Sequence, residues 1–513
     1  MKKFFKYIGF GCVATLLAFS AASCSEEMMD EINADNSHTT DVVVKFIIPD
    51  LELRTAQYVI GGDFNTYFGS YVEYWAGTHN QLYQAELRHA ECRSASTFNN
   101  IWGSLYENIR NAKLAIAKCS EGGSDAGDAL SLGIAKVMLA YNAAVVTDQF
   151  GDTPYTEVGD YVQFPSPKAD KQEAIYEDII KLLDSAISDF AGASNSLGKY
   201  DFIYGGDPNK WAKLANGLAA RYTMRLLNKA GSKDSACQTA LAYLAKSFTS
   251  AADQASMQYD GNNQNPVFDF EWSRDGISSC TSMYGKLIER NDPRAERVYF
   301  DPGSWEHYSA ADAEDLLAPT GEPYESQYEY CYDVFFFAEV APVHFMSYHE
   351  ALFLKAEAEA RLGQDASATL REAVEAAFAN LEVNVDGAMG SPSINTYGGL
   401  EPISDGALTA EDADAYFDEE VMPLYEANPL KEVMMQKYIG LWGANGETLE
   451  TYADIRRLKA EGQDVYGLIN PGKFPLRCAY GNDDVVSNPN IASLYGDGQY
   501  IFTENVWWAG GSR

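Results

Sequence analysis

Six histidines, His38, His79, His89, His307, His344 and His349, are all the imidazole chemistry this 513-residue chain offers. His344 and His349 are separated by Phe-Met-Ser-Tyr, which does not fit the His-Glu-x-x-His helix of a zinc enzyme, and His349 reads as a structural residue at a helix start. No Gly-x-Ser-x-Gly nucleophile turn occurs. The nearest thing to a phosphate loop is Gly192 to Lys199. It fails, because five residues rather than four separate its glycines and Tyr200 stands where Ser or Thr would hold magnesium. Cys92, Cys119, Cys237, Cys280, Cys331 and Cys478 are scattered without a Cys-x-x-Cys pair, so zinc and dithiol motifs are absent. Buried free thiols fit that scatter at least as well as disulfides do. Among 74 Asp and Glu residues a glycosidase-like pair can always be picked by eye and means nothing. Glu177 and Asp178 read as a solvated helix face, and the run Glu411-Asp412-Ala413-Asp414 reads as solvated charge, since it lacks the ligand spacing of a calcium loop. No catalytic constellation stands out and no cofactor is expected, with a carboxylate pair and a structural calcium ion left open. The chain holds 33 Tyr, 25 Phe and 8 Trp, and those that fall in loops suit recognition by stacking.

Charge narrows the ligand. A net charge of −36 makes nucleic acid a poor partner, since phosphate affinity comes from Lys and Arg. Polyanions are repelled at long range, although one local basic pocket can still hold an acidic group.

The start of the chain has a separate role. Lys2, Lys3 and Lys6 precede an apolar segment from Ile8 to Phe19, too short for a stable membrane span, and small residues then run into Ala22-Ser23-Cys24. That order resembles the lipobox of bacterial lipoproteins. It implies cleavage after residue 23 and lipid on Cys24, where each buried methylene contributes ~0.8 kcal/mol to anchoring. Ser25-Glu26-Glu27 resembles a surface-export signal. Residues 24–41 are polar and acidic and read as a tether. Residues 42–513 are then expected as one domain.

The elements that must position a binding face are helices. Apolar residues recur at helical spacing over Thr97–Lys118, 172–190, Phe345–Leu362 and Ser367–Leu381. Leu132–Val146 is apolar nearly all round and so buried on several sides. Asp207 and Pro208 start a helix that ends by Gly231, with Trp211 anchoring its apolar face. Short-linked, Ala-rich pairs within roughly 97–250 and 345–382 suggest tetratricopeptide-like hairpins. The expected fold is mainly α, with these hairpins packed against a loop-rich ligand-binding face. Loop-rich stretches are 61–96, 255–345 and 385–415, with little strand beyond short hairpins.

Several stretches, in order, resemble one family. They are Asp148-Gln149-Phe150-Gly151-Asp152-Thr153-Pro154-Tyr155, then Tyr204, Asp207, Trp211, Asn216 and Arg221 within 201–221, then Asn291-Asp292-Pro293-Arg294, Ala356-Glu357-Ala358, Asp454-Ile455-Arg456-Arg457 and Asn488-Pro489-Asn490. This order resembles the SusD/RagB-like nutrient-binding lipoproteins of the outer membrane. Gly217 and Cys478-Ala479-Tyr480 depart from the pattern. Arg221, Arg456 and Arg457 are expected to hold carboxylates or loop carbonyls.

The resemblance implies a lipid-anchored, surface-exposed protein that captures a nutrient and delivers it to a SusC-like TonB-dependent transporter, without turnover. Oligosaccharide is the first expectation and peptide the alternative. A surface glycan hydrolase and a protein-binding scaffold are the other classes. Sugars present C–H faces to aromatic rings and hydroxyls to Asn, Asp, Arg and Gln. The candidates with that mixture are Tyr71, Tyr74, Trp75 and Asn80, then Trp272 and Arg274 in an expected polar loop, then Trp305 and Tyr308. Tyr71, Tyr74 and Trp75 are open to a second reading, as the buried start of the helical body. Trp507-Trp508 is either core or interface.

Overall fold

Pro208 and Asp207 do what their types suggest. The Asp207 side chain accepts from the amides of Asn209 and Lys210, and the helix Pro208–Arg225 follows. A computed structural model describes residues 42–89, 94–404 and 406–513. Cys24, the leader and the tether lie outside them, as does Cys92.

Helices dominate, and most lie where the apolar spacing puts them: Asn99–Cys119, Ala129–Phe150, Gln172–Phe190, Pro208–Arg225 and Lys233–Leu244 pack each against the next. Ala129–Phe150 is long and apolar enough to cross a membrane, but here its residues are buried almost all round by neighbouring helices. Tyr348–Arg361 and Ser367–Met389 form another antiparallel-type pair beside Lys233–Leu244, giving the tetratricopeptide-like layer. Ser367–Met389 outruns its expected end at Leu381. Val385 and Ala388 keep facing the core, and the first real stop is Gly390-Ser391-Pro392.

Buried charges tie the layers. Arg221 holds Glu350 through Nε at 2.9 Å and the Phe345 carbonyl at 2.8 Å. Arg457 grips Glu357 and Asp454, and Arg456 donates to the Asp148 carbonyl at 2.7 Å and Gln149 Oε1 at 3.1 Å. Trp211 is fully buried, its indole N–H donating to Asp201 at 2.7 Å. Trp508 is also core. His349 is buried 3.3 Å from Glu447, and Cys119, Cys237, Cys280, Cys331 and Cys478 are buried free thiols.

Strands are two to four residues long, but most pair distant segments rather than form hairpins. Ala76–Gly77 runs antiparallel to Ile277–Ser278, with Ala76 opposite Ser278. Tyr299–Phe300 sits between His307–Tyr308 and Tyr332–Asp333. These clamps fix 61–96 against 255–345. Residues 61–96 are also less looped than expected, since Asp63–Tyr71 and Asn80–Glu86 are helical.

That helix overturns part of the expected site. Tyr71, Tyr74 and Trp75 are core residues, at most 1% exposed. The Trp75 ring lies on Gly69, where a Cβ would come within 2.0 Å of it, and its N–H donates to the Thr66 carbonyl at 3.0 Å. Tyr74 donates to the Tyr438 carbonyl at 2.5 Å. Rings seated and hydrogen-bonded this way have no face left for a ligand.

Candidate functional site

The helix Pro266–Arg274 carries the site. Asn265 caps it by accepting from Val267 N–H at 2.9 Å, Pro266 takes the first position, and Asp275 ends it in the left-handed region at φ 46°. Residues step about 100° around such a helix. Val267, Phe268 and Glu271 therefore turn inward, while Asp269, Trp272, Ser273 and Arg274 are exposed. Trp272 and Arg274 thus stand on a helix, not in the expected loop.

Trp272 meets two rings that come from distant loops. Its centroid lies 6.4 Å from Trp305 and 6.2 Å from Tyr397, and Trp305 and Tyr397 are 6.3 Å apart. Phe268 stacks under Trp272 at 5.3 Å. Trp272 is 44% exposed and Tyr397 73%. Trp305 is half-buried, and three adjoining rings backed by the core can offer one apolar face. Trp305 is held in the left-handed region at φ 62°, a conformation that costs a bulky residue ~1–2 kcal/mol. Backbone bonds over-determine it: Trp305 N–H donates to the Asp301 carbonyl at 3.1 Å, and the Trp305 carbonyl accepts from Glu401 N–H at 3.1 Å. Tyr308 is half-buried and donates to Asp301 at 3.0 Å, which ties it to this turn. Tyr397 sits before Gly398 and Gly399, both at positive φ.

On the other flank of the helix lies a groove of about 820 Å³, lined by Tyr58, Asp63, Asn80, Asn100, Asp269, Ser273 and Arg274 among others. A smaller space of about 210 Å³ shares Gln57, Tyr58 and Asp269 with it. Asn80 is exposed on the groove rim at φ 52°, its N–H donating to Glu325 at 3.1 Å. Burial raises the Asp63 carboxyl above its ordinary range, and the Arg274 cation partly offsets this. Of the sequence candidates, Trp272 and Trp305 come together on one flank, and Asn80 and Arg274 share the other. Tyr397, Tyr58 and Asp269 were missed. The run Asn395-Thr396-Tyr397-Gly398-Gly399, an aromatic before two turn glycines, is the signal that could have found Tyr397.

Beneath this face, burial lifts Glu271 to about 8, against backbone amides of Gly276 and Ile277 that favour its charge. Burial likewise lifts Asp333 to about 7. A carboxyl raised in the folded state contributes stability fully present below its unfolded pKa and lost as pH rises through the folded one. Their share of the stability should therefore fall from the ordinary carboxylate range up to about pH 7 for Asp333 and about pH 8 for Glu271, by up to ~1.4 kcal/mol per pH unit for each group. Glu271→Gln should remove its share, so urea unfolding followed from acid to neutral pH should show a shallower decline than the parent.

Residues 38–481 match the model of a family described as starch-binding and associating with the outer membrane. This chain belongs to the SusD-like family. A SusD/RagB family protein from Bacteroides thetaiotaomicron is 44% identical, with a TM-score of 0.88, covering 92% of this chain and 100% of that one. Two further SusD homologues share the fold. The one from Bacteroides fragilis has 19% identity, TM-score 0.69 and coverage of 92% and 100%; the chitin-binding one from Flavobacterium johnsoniae has 18%, 0.66, 91% and 99%. No protein of curated function matches the chain. SusD-like membership places the chain among outer-membrane-associated, nutrient-binding helical proteins, and the recurring motif residues turn out to be scaffold. Trp211, Arg221, Arg456 and Arg457 are buried and hydrogen-bonded, while the aromatic triangle lies outside those motifs.

Proposed function

We propose that this SusD-like chain is a cell-surface lipoprotein that binds an oligosaccharide across the exposed face of Pro266–Arg274. It would then pass the ligand to a SusC-like TonB-dependent transporter. The observation that supports this most is the triangle of exposed Trp272 and Tyr397 with half-buried Trp305, beside a groove rimmed by Asn, Ser and Asp side chains. Sugar rings need both surfaces, one for C–H faces and one for hydroxyls. Binding without covalent chemistry suffices for capture, and moderate affinity favours release. The test is calorimetric titration of the purified protein against plant, mucin and microbial oligosaccharides, with peptide mixtures alongside. A saturable response to one glycan class supports the reading, and a response to peptides alone removes it.

In this reading residues 1–23 are a cleaved leader, Cys24 carries the lipid, residues 24–41 are the tether and 42–513 the binding domain. Cys24→Ala is expected to abolish incorporation of labelled fatty acid and release the protein from the membrane fraction. Retention of label in that variant would place the anchor elsewhere.

A further inference from the structure

Arg274 is the odd arginine in this molecule. Among the described residues, every other guanidinium donates to a carboxylate, a carbonyl or a side-chain oxygen, or sits in an ion pair. Arg221 and Arg457 hold carboxylates, Arg456 and Arg477 hold carbonyls, Arg88 holds the Ser70 and Tyr71 carbonyls, and surface Arg371 reaches Asp414. In a chain with 74 acidic and 38 basic side chains, carboxylates are abundant. Arg274 nevertheless makes no such bond and is exposed; it lies 5.8 Å from the Phe270 ring centre and feels the Asp63 carboxyl in the same groove without a direct ion pair. It opens into the 820 Å³ groove.

We propose that Arg274 is the recognition point for a carboxylate on the ligand, so that the bound glycan carries an acidic sugar, a uronic or a sialic acid. This rests on the glycan-binding reading above and names its substrate class. Guanidinium matches carboxylate with two parallel N–H bonds, a geometry neither Lys nor a neutral donor reproduces. The helix supplies the route. From Trp272 the exposed surface passes through Asp269 and Ser273 to Phe270 and Arg274, so a sugar stacked on the aromatic triangle leads its neighbours over the helix into the groove. Asp63 and Asp269 line the same groove and suit hydroxyl donors. They also oppose a second ligand charge, as does the net charge of −36, so the ligand bears an isolated acidic sugar and is not a polyanion.

The test compares each acid with its own neutral form on the purified protein by calorimetry. One arm uses a glucuronate-substituted xylo-oligosaccharide, its methyl ester and the unsubstituted chain. The other uses sialyllactose, its methyl ester and lactose. In one arm the acid should bind at least about tenfold tighter than its ester. Arg274→Gln should erase that preference, with Arg274→Lys recovering it in part, while Trp272→Ala weakens acid and ester alike. The arm that responds names the sugar. Equal binding of acid and ester, a preference that survives Arg274→Gln, or silence of both acids would overturn the inference. Neutral chains that still bind and lose affinity in Trp272→Ala would leave the glycan-binding function standing without it. Acid binding that ignores Trp272→Ala but needs Arg274 would keep the carboxylate site and remove the aromatic platform.

Discussion

Arg221→Met is expected to destabilise the fold by about 3–5 kcal/mol, the usual cost of leaving one half of a buried ion pair behind. The side chains of Arg221 and Glu350 are 2% and 0% exposed. Arg221 donates to both Glu350 oxygens and to the Phe345 carbonyl, so it joins Pro208–Arg225 to the start of Tyr348–Arg361. Glu350 has no second cation as a direct partner, and Glu447 and Glu450 add to its like-charge surroundings. Methionine would preserve the packing volume but strand that carboxylate, which must then take up a proton to remain buried. Adding Glu350→Gln should recover most of the loss, because two neutral groups need no ion to compensate them. Urea unfolding of the parent, both single variants and the double variant checks the cycle. A single variant within about 1 kcal/mol of the parent would show that the pair does not bind the layers together.

Trp272→Ala is expected to cost the glycan at least about 30-fold in affinity, as truncation of a central aromatic contact does, with an unchanged unfolding midpoint. Its ring is the one that touches both Trp305 and Tyr397, and Phe268 supports it from the core side. The indole is exposed already, so its removal opens no core cavity. Tyr397→Ala should weaken binding less, since Tyr397 stands on a turn at the edge of the triangle. Trp75→Ala gives the opposite pattern. It empties a core seat over Gly69 and should lower stability by about 3–5 kcal/mol. Titration and thermal unfolding of the three variants separate a binding aromatic from a packing one.

That contrast explains what the sequence could and could not tell. The helix Gln172–Phe190 falls on the span read from its apolar stripe, because Ile175, Ile179, Leu183 and Ala186 repeat on one buried side. The arginine anchors were legible in another way: the resemblance singled out Arg221, Arg456 and Arg457, and their forked donors suit carboxylates and carbonyls. Pro266–Arg274 was not legible as a helix. It has nine residues, and one of its three main inward positions is Glu271, a buried acid that breaks the apolar pattern. Tyr71, Tyr74 and Trp75 share the composition of a ligand platform. Their burial depends on partners far along the chain, Tyr452 for Tyr71, Tyr438 and Thr451 for Tyr74, and Phe336 for Trp75, which no local pattern reveals. Tyr397 becomes meaningful only once the fold brings its turn beside Trp272 and Trp305.

The central claim is that ligand lies on the exposed face of Pro266–Arg274. Fluorine NMR on protein labelled with 5-fluorotryptophan tests it most directly, because the eight indoles include both platform and core rings. During titration with the oligosaccharide that binds, the resonances of Trp272 and Trp305 should move together and saturate. Those of buried Trp75, Trp211 and Trp508 should stay in place. Saturable binding that leaves Trp272 and Trp305 unmoved would contradict the account and put the ligand on another face of the molecule.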